Sequence, residues 1–303
     1  MVQFKQQLAA VYEYNLQSKL YEEQNRKEVS AMSELSYNLL ASDLDSTMIT
    51  ETLTLPAVNI AAVERARNAG CHVAICSGRA TNSLLYYEEQ LGLIGEGCYG
   101  ISFNGSIVYE TDTRKVIRDI RLGDSLAMDI IERLADYGAN PWIYVGDELY
   151  VTKATEWARE YARHVKTKFT VVDSFRGLDG EITKVQVADL RPNLEKLDEH
   201  FLALDDSRYN NFFTADFLYE FTAQDATKGK ALAFLANRLG VPIAKTIAIG
   251  DNLNDVHMIQ TAGLSVAVNN ARHELKALAD YVTRRDCGQG AVAEVIEKFV
   301  LKG

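Results

Sequence analysis

Hydrophobic and polar positions fall into three regimes along the chain. Residues 1–35 are polar, charged and free of glycine and proline, and Phe4, Leu8, Val11 or Tyr12, Leu16 and Leu20 recur at helical spacing. That recurrence predicts an N-terminal extension of one or two amphipathic helices. From Ser36 onward, short apolar runs alternate with helix-length segments. The stretch SYNLLASD predicts a buried strand. A helix follows from Pro56, well placed in a first turn, to Gly70, a suitable C-terminal stop. HVAICSG predicts a second strand, and a helix runs from about Thr81 to Gly92. GISFNGSIVYE predicts a hairpin with Asn104-Gly105 as its two-residue turn. Strands alternating with helices of this length predict a parallel sheet covered on both faces.

Beyond Asp112 the order changes. A helix over 124–137 is followed by strands near 141–145 and 149–152 and a helix over 154–165. Strands near 168–172 and 181–189 come next, then a helix over 193–204 and strands near 208–213 and 217–222. Strand pairs joined by short turns predict an antiparallel sheet carrying helices. After Lys228 the alternation returns, with a helix to Gly240, the strand TIAIG, a helix over 253–262, the strand LSVAV, a helix from Ala271 and a closing AVAEVIEKFV. The expected fold class is α/β, a Rossmann-like core with a parallel sheet, split by an inserted α+β domain. The expected divisions are the extension (1–35), a discontinuous core (36–112 and 223–303) and the insertion (113–222).

Composition narrows the function. A chain of 303 residues favours two domains over one. A formal net charge of -10 argues against a broad nucleic-acid or anionic-membrane surface. The N-terminus has no apolar h-region or small-residue cleavage site, and no apolar run approaches the roughly 20 residues of a membrane span. The expectation is a soluble, cytoplasmic protein whose oligomeric state is open. The four cysteines form no CxxC pair and read as buried reduced thiols, and the five histidines form no paired-ligand spacing.

Three polar clusters sit where predicted parallel strands end, the place where open α/β sheets bind ligands. They are Asp43-Leu-Asp45-Ser-Thr47, Ser77-Gly78-Arg79, and GDNLND from Gly250 to Asp255. If the strands are neighbours, Asp43, Asp45, Asp251 and Asp255 converge on one crevice. Four carboxylates repel one another unless a cation or a proton compensates. With only Cys76 and His257 nearby as softer ligands, the donor set favours magnesium over zinc. Magnesium takes only one or two protein carboxylates beside a substrate phosphate, leaving others for nucleophilic or proton-transfer work.

The three clusters, with Lys228 in ATKGKALAF, resemble the four motifs of the haloacid dehalogenase (HAD) superfamily of phosphotransferases. DLDST matches its DxDGT motif, with Ser46 in place of the usual glycine. FNGSIVY, KGKAL and AVNNARHELKALADYVT are similar to its Cof-like (class IIB) branch, which places a large α+β cap between the second and third motifs. The resemblance covers roughly residues 36–303. It implies a phosphatase acting on a small phosphorylated metabolite, most simply a sugar phosphate. Asp43 would be the nucleophile and Asp45 the acid and base. Asp43, Asp251 and the backbone carbonyl of Asp45 would hold magnesium. Ser77, Gly78, Arg79, Lys228 and Asn254 would face the phosphate, and Asp255 and Asn104 would support them. A phosphomutase of the same superfamily and a non-catalytic phospho-ligand sensor are the alternatives. Arg79 and Asn104 have structural readings of equal weight. Lys184, a lone charge in the apolar strand ITKVQVA, reads equally as a substrate contact or a domain salt bridge. GEGCYG matches a dinucleotide fingerprint in letters only, because a helix precedes it and a strand follows.

Overall fold

A computed structural model describes residues 37–301, so the expected N-terminal helices lie outside the described residues. Chain order begins with β1 (Leu39–Ser42), α1 (Ala57–Asn68), β2 (His72–Cys76), α2 (Thr81–Gln90), β3 (Tyr99–Ser102), β4 (Ile107–Glu110) and β5 (Val116–Asp119). There follow α3 (Asp124–Asp136), β6 (Trp142–Val145), β7 (Glu148–Val151), α4 (Glu156–His164), β8 (Phe169–Val171), β9 (Ile182–Ala188), α5 (Arg191–Ala203), β10 (Tyr209–Ala215) and β11 (Leu218–Ala223). The chain closes with α6 (Lys228–Arg238), β12 (Thr246–Gly250), α7 (Val256–Thr261), β13 (Leu264–Ala267), α8 (His273–Leu278), β14 (Tyr281–Val282) and α9 (Ala291–Val295).

Two sheets result. The first has the order β14-β13-β12-β1-β2-β3-β4-β5 and the second β10-β11-β9-β6-β7-β8. β1 lies inside the first sheet, parallel to β12 on one side and β2 on the other. Leu39 and Leu40 are fully buried there, as an uninterrupted apolar run in a doubly covered strand requires. Each such side chain contributes about 1.5–3 kcal/mol of burial free energy. Because β12, β1 and β2 are adjacent, the three polar clusters do open onto one crevice.

The second sheet is formed wholly from residues between β5 and α6. One face packs Ile143, Val185, Val187, Tyr219 and Phe221 against Ile130, Leu134, Leu194 and Phe201 of α3 and α5. On the other side, Trp142, Tyr144 and Leu218 join the apolar cluster of the first sheet. The two sheets are thus packed against each other. Among the described residues no helix is long and apolar enough to cross a membrane, and all four cysteines are buried and free.

Several expectations change. The strand pairing ends at Ser102↔Ile107, so the β3–β4 turn has four residues, Phe103 to Ser106, rather than two. Phe103, Asn104 and Gly105 all take positive φ. The turn is shaped by docking: the backbone N–H of Asn104 donates to Ser77 O and that of Phe103 to Arg79 O. β5, within the residues expected to form the insertion, is the edge strand of the first sheet. The expected helix over 253–262 is a 3-10 turn, Leu253–Asp255, followed by α7. α9 continues into a wider π-type turn at Ile296–Val300.

Candidate active site

The strand ends place the first aspartates. Ser42 is the last residue of β1, and the backbone N–H of Asp43 still donates to Ile249 O of β12 before the chain turns away. Ser46 turns the chain with φ 58, the left-handed region in which glycine is the least strained residue. Thr47 then donates from Oγ1 to Asp251 Oδ1 at 3.1 Å, joining the first cluster to the third.

Lys228 opens α6, capped by the Thr227 side chain, and its ammonium is fully buried. Its Nζ lies 2.5 Å from Asp43 Oδ1 and 2.6 Å from Asp255 Oδ1. The other oxygen of Asp255 accepts the backbone N–H groups of Asp251 and Asn252. Asp255 thus holds both the Lys228 ammonium and the backbone of the third loop. Lys230, the competing candidate two residues on, is exposed and paired with Asp225.

The crevice is electrostatically strained without a countercharge. Burial pushes the Asp43 carboxyl up to about 7; Lys228 pulls it down, and Asp255 and Asp45 add to the rise. Burial, then the charges of Asp43 and Asp255, hold Asp251 well above the ordinary carboxylate range. Burial opposes the charge of Lys228, but Asp255 and Asp43 outweigh it and hold the ammonium above the usual lysine value. Asp43, Asp251 and Asp255 each offer an oxygen within 4.8 Å of the others, a donor set of hard oxygens that could hold a divalent cation. Asp255 already accepts three hydrogen bonds, against one each at Asp43 and Asp251, so the latter two are the carboxylates of that cluster freer to meet a cation. The Asp45 carboxylate stands apart from it.

Asp45 is gripped instead by Arg79, with Nε to Oδ2 at 2.8 Å and Nη2 to Oδ1 at 2.5 Å. Of the two readings of Arg79, this contact is the one that the structural reading describes. A guanidinium only 4% exposed needs a carboxylate partner, and Asp45 supplies it bidentately. Ser77 is buried after β2, and its Oγ accepts the Arg79 backbone N–H at 3.2 Å. Gly78 follows it on the crevice wall. Asn254 lines the crevice and donates from Nδ2 to Asn104 Oδ1 at 3.0 Å.

These groups head a cavity of about 520 Å³ between the two sheets. The second sheet and α4 contribute Tyr161, His164, Thr214 to Leu218, and Glu220. His164 Nε2 lies 3.9 Å from Asp45 Oδ1, and burial holds its imidazole below the ordinary histidine value. Arg272 closes the rim from the first sheet's side through an ion pair to Asp216 at 2.9 Å. None of His164, Arg272 or Glu220 is legible from local spacing. The one available signal was a second lone charge, Glu220, in the apolar strand LYEFTA, matching Lys184 in ITKVQVA.

The chain is similar to known proteins over most of its length. Residues 40–296 match the model of the haloacid dehalogenase-like hydrolases. The chain is 30% identical over 270 residues to YxeH of Bacillus subtilis, covering 88% of this chain and 99% of that one. It is 27% identical over 262 residues to the pyridoxal phosphate phosphatase YbhA of Escherichia coli, covering 82% and 93%. Among solved structures, the HAD subclass IIB sugar phosphatase BT4131 superposes with a TM-score of 0.72 over 86% of this chain and 98% of that one, at 19% identity, a likeness of fold.

Proposed function

The chain belongs to the haloacid dehalogenase-like hydrolase family and is a phosphatase, and from that premise we propose a magnesium-dependent phosphomonoester hydrolase that works through an aspartyl-phosphate. The substrate proposed is a small phosphorylated metabolite with a sugar-like leaving group. The observation that carries the reading is the Asp43–Lys228–Asp255 chain of short contacts at the head of a cavity lined on its far side by the second sheet. A cavity of this size suits a small molecule. The inserted unit then acts as a cap that excludes bulk water and strengthens every charge interaction inside.

The chemistry follows from where the side chains lie. Lys228 holds one oxygen of Asp43 and leaves the other to attack phosphorus. Ser77 and the backbone of its loop seat the phosphoryl oxygens, and Lys228 offsets the charge gathering on them. Asp45, next to Asp43 yet clear of the carboxylate cluster, protonates the leaving alcohol oxygen. It then takes the proton from the water that releases inorganic phosphate. Arg79 keeps that carboxylate aimed at the leaving-group side. Asp43 and Asp251, with the backbone carbonyl of Asp45, would hold magnesium, which would supply a positive charge between the nucleophile and the phosphate dianion.

The test is phosphate release from a panel of sugar phosphates, pyridoxal phosphate, phosphoglycolate and 4-nitrophenyl phosphate, with magnesium, with chelator, and with Asp43→Asn. Release that needs magnesium and drops at least about a thousandfold in the variant is expected for loss of a nucleophile. Wild-type rates from Asp43→Asn sink the mechanism. Phosphoryl transfer between positions of one sugar, without net release, identifies a mutase instead.

A further inference from the structure

We propose that Lys184 and Glu220, a buried ion pair on the second sheet, are positioning residues that set the phosphate seat on the first sheet. The inference rests on the phosphatase reading above. Lys184 Nζ lies 2.7 Å from Glu220 Oε1, and their side chains are 0% and 3% exposed. They sit on neighbouring strands β9 and β11, where Lys184 opposes Thr222 and Glu220 opposes Gln186, so the pair is diagonal on one face. A buried ion pair is a poor source of stability, since apolar residues of similar volume usually serve as well. Its retention calls for another reason.

The reason lies in what the pair does with its remaining hydrogen-bonding capacity. Lys184 Nζ donates to Gly78 O at 3.1 Å, across to the loop that carries Ser77. Glu220 Oε2 accepts from Asn104 Nδ2 at 2.9 Å. Asn104 in turn accepts from Asn254 Nδ2, and its backbone N–H donates to Ser77 O. Two loops that head the crevice, at Ser77 and at Asn254, are therefore tied to one pair of charges on the opposing sheet.

The relay has a direction. Glu220 as a carboxylate can only accept, so the Asn104 amide must turn its nitrogen to Glu220 and its oxygen to Asn254. That oxygen fixes which way Asn254 presents its own amide to the cavity. The Asn104 backbone, at φ 55, is held by the docked turn, which leaves the side chain as the adjustable part. Docking of the second sheet and ordering of the phosphate seat thereby become one event.

Three variants test this: Lys184→Met/Glu220→Gln, which removes both charges at similar volume; Glu220→Gln alone, which lets the Asn104 amide take either orientation; and Asn104→Gly, which cuts the relay at a position whose backbone suits glycine. Thermal unfolding establishes which variants are folded. Calorimetric binding of inorganic phosphate with magnesium present, and kcat and KM on 4-nitrophenyl phosphate, are then measured. The expected result is inorganic phosphate binding weakened about tenfold in each folded variant, with a matching loss in kcat/KM. Folded variants that bind phosphate and turn over like the wild type overturn the proposal, leaving the pair a structural one. Wild-type protein that neither binds phosphate nor releases it overturns the phosphatase mechanism itself, a separate outcome read before any variant.

Discussion

At the scale of single residues, Ser46 shows how a small departure from a motif acquires a physical meaning. The resemblance marks its position as usually glycine, and the backbone there is left-handed, at φ 58. A non-glycine residue in that region costs roughly 1–2 kcal/mol. Glycine would relieve the strain but lose about 0.5–1 kcal/mol to its freer unfolded chain. Ser46→Gly should therefore stabilise the protein by up to about 1.5 kcal/mol, read as a higher urea midpoint with an unchanged slope. A lower midpoint would show that the serine side chain contributes more than its backbone strain takes away. The same scale shows the limits of reading letters. Asp43, Asp45, Lys228 and Asp251 stand out because strand ends and spacing single them out. Arg79 stands in the second motif, yet its part depends on Asp45, 34 positions earlier in the chain. His164 comes within 3.9 Å of Asp45 only through the packing of α4 over the crevice.

At the scale of elements, the third motif depends on how closely two helices approach. Gly229 lies in the first turn of α6, and a β-carbon there would overlap the His257 carbonyl of α7 and come 2.6 Å from Thr261 Oγ1. In an exposed helix, replacing glycine by alanine gains about 1 kcal/mol. Here the clash is with backbone, which cannot swing aside, so α6 and α7 must move apart. Because Lys228 and Asp255 are on the abutting ends of these segments, the shift also loosens their 2.6 Å contact. Gly229→Ala should lower the unfolding temperature and reduce kcat more than it raises KM. A stabilised, fully active variant would mean that the helices close without cost. Buried elements such as β1, β2 and β12 are legible because two-sided burial writes an unbroken apolar run. β5 and β14 are not, since edge strands carry little such pattern: Val116 in β5 is 44% exposed, and β14 has two residues. The four-residue β3–β4 turn was misread for the opposite reason, its shape being set by the Ser77 and Arg79 carbonyls it docks against rather than by Asn104-Gly105 itself.

For the molecule as a whole, the charge stored in the crevice becomes part of folding stability. Asp43 is held near 7 in the folded protein, above its ordinary value of 3.8, chiefly by burial. Between those values the unfolded chain has released the proton while the folded one keeps it. The folded state binds more protons, so the Asp43 contribution to stability falls as pH rises from about 4 to about 7 and levels off above. Asp251 shifts in the same direction. In chelator, Asp43→Asn should lack the Asp43 share of this loss. Its stability relative to wild type should climb across that window by up to about 4 kcal/mol, less as Asp251 relaxes once its neighbour is neutral. A divalent cation works the other way. It favours the ionised carboxylates, and at a hundred times its dissociation constant it adds about 2.7 kcal/mol to the wild type. The variant, lacking one anionic ligand, should gain much less. Urea unfolding of both proteins at pH 5 and pH 8, with magnesium and with chelator, separates these effects. Parallel pH profiles would mean that Asp43 is not the strained carboxylate. Equal stabilisation of both proteins by magnesium would place the ion somewhere other than between Asp43 and Asp251.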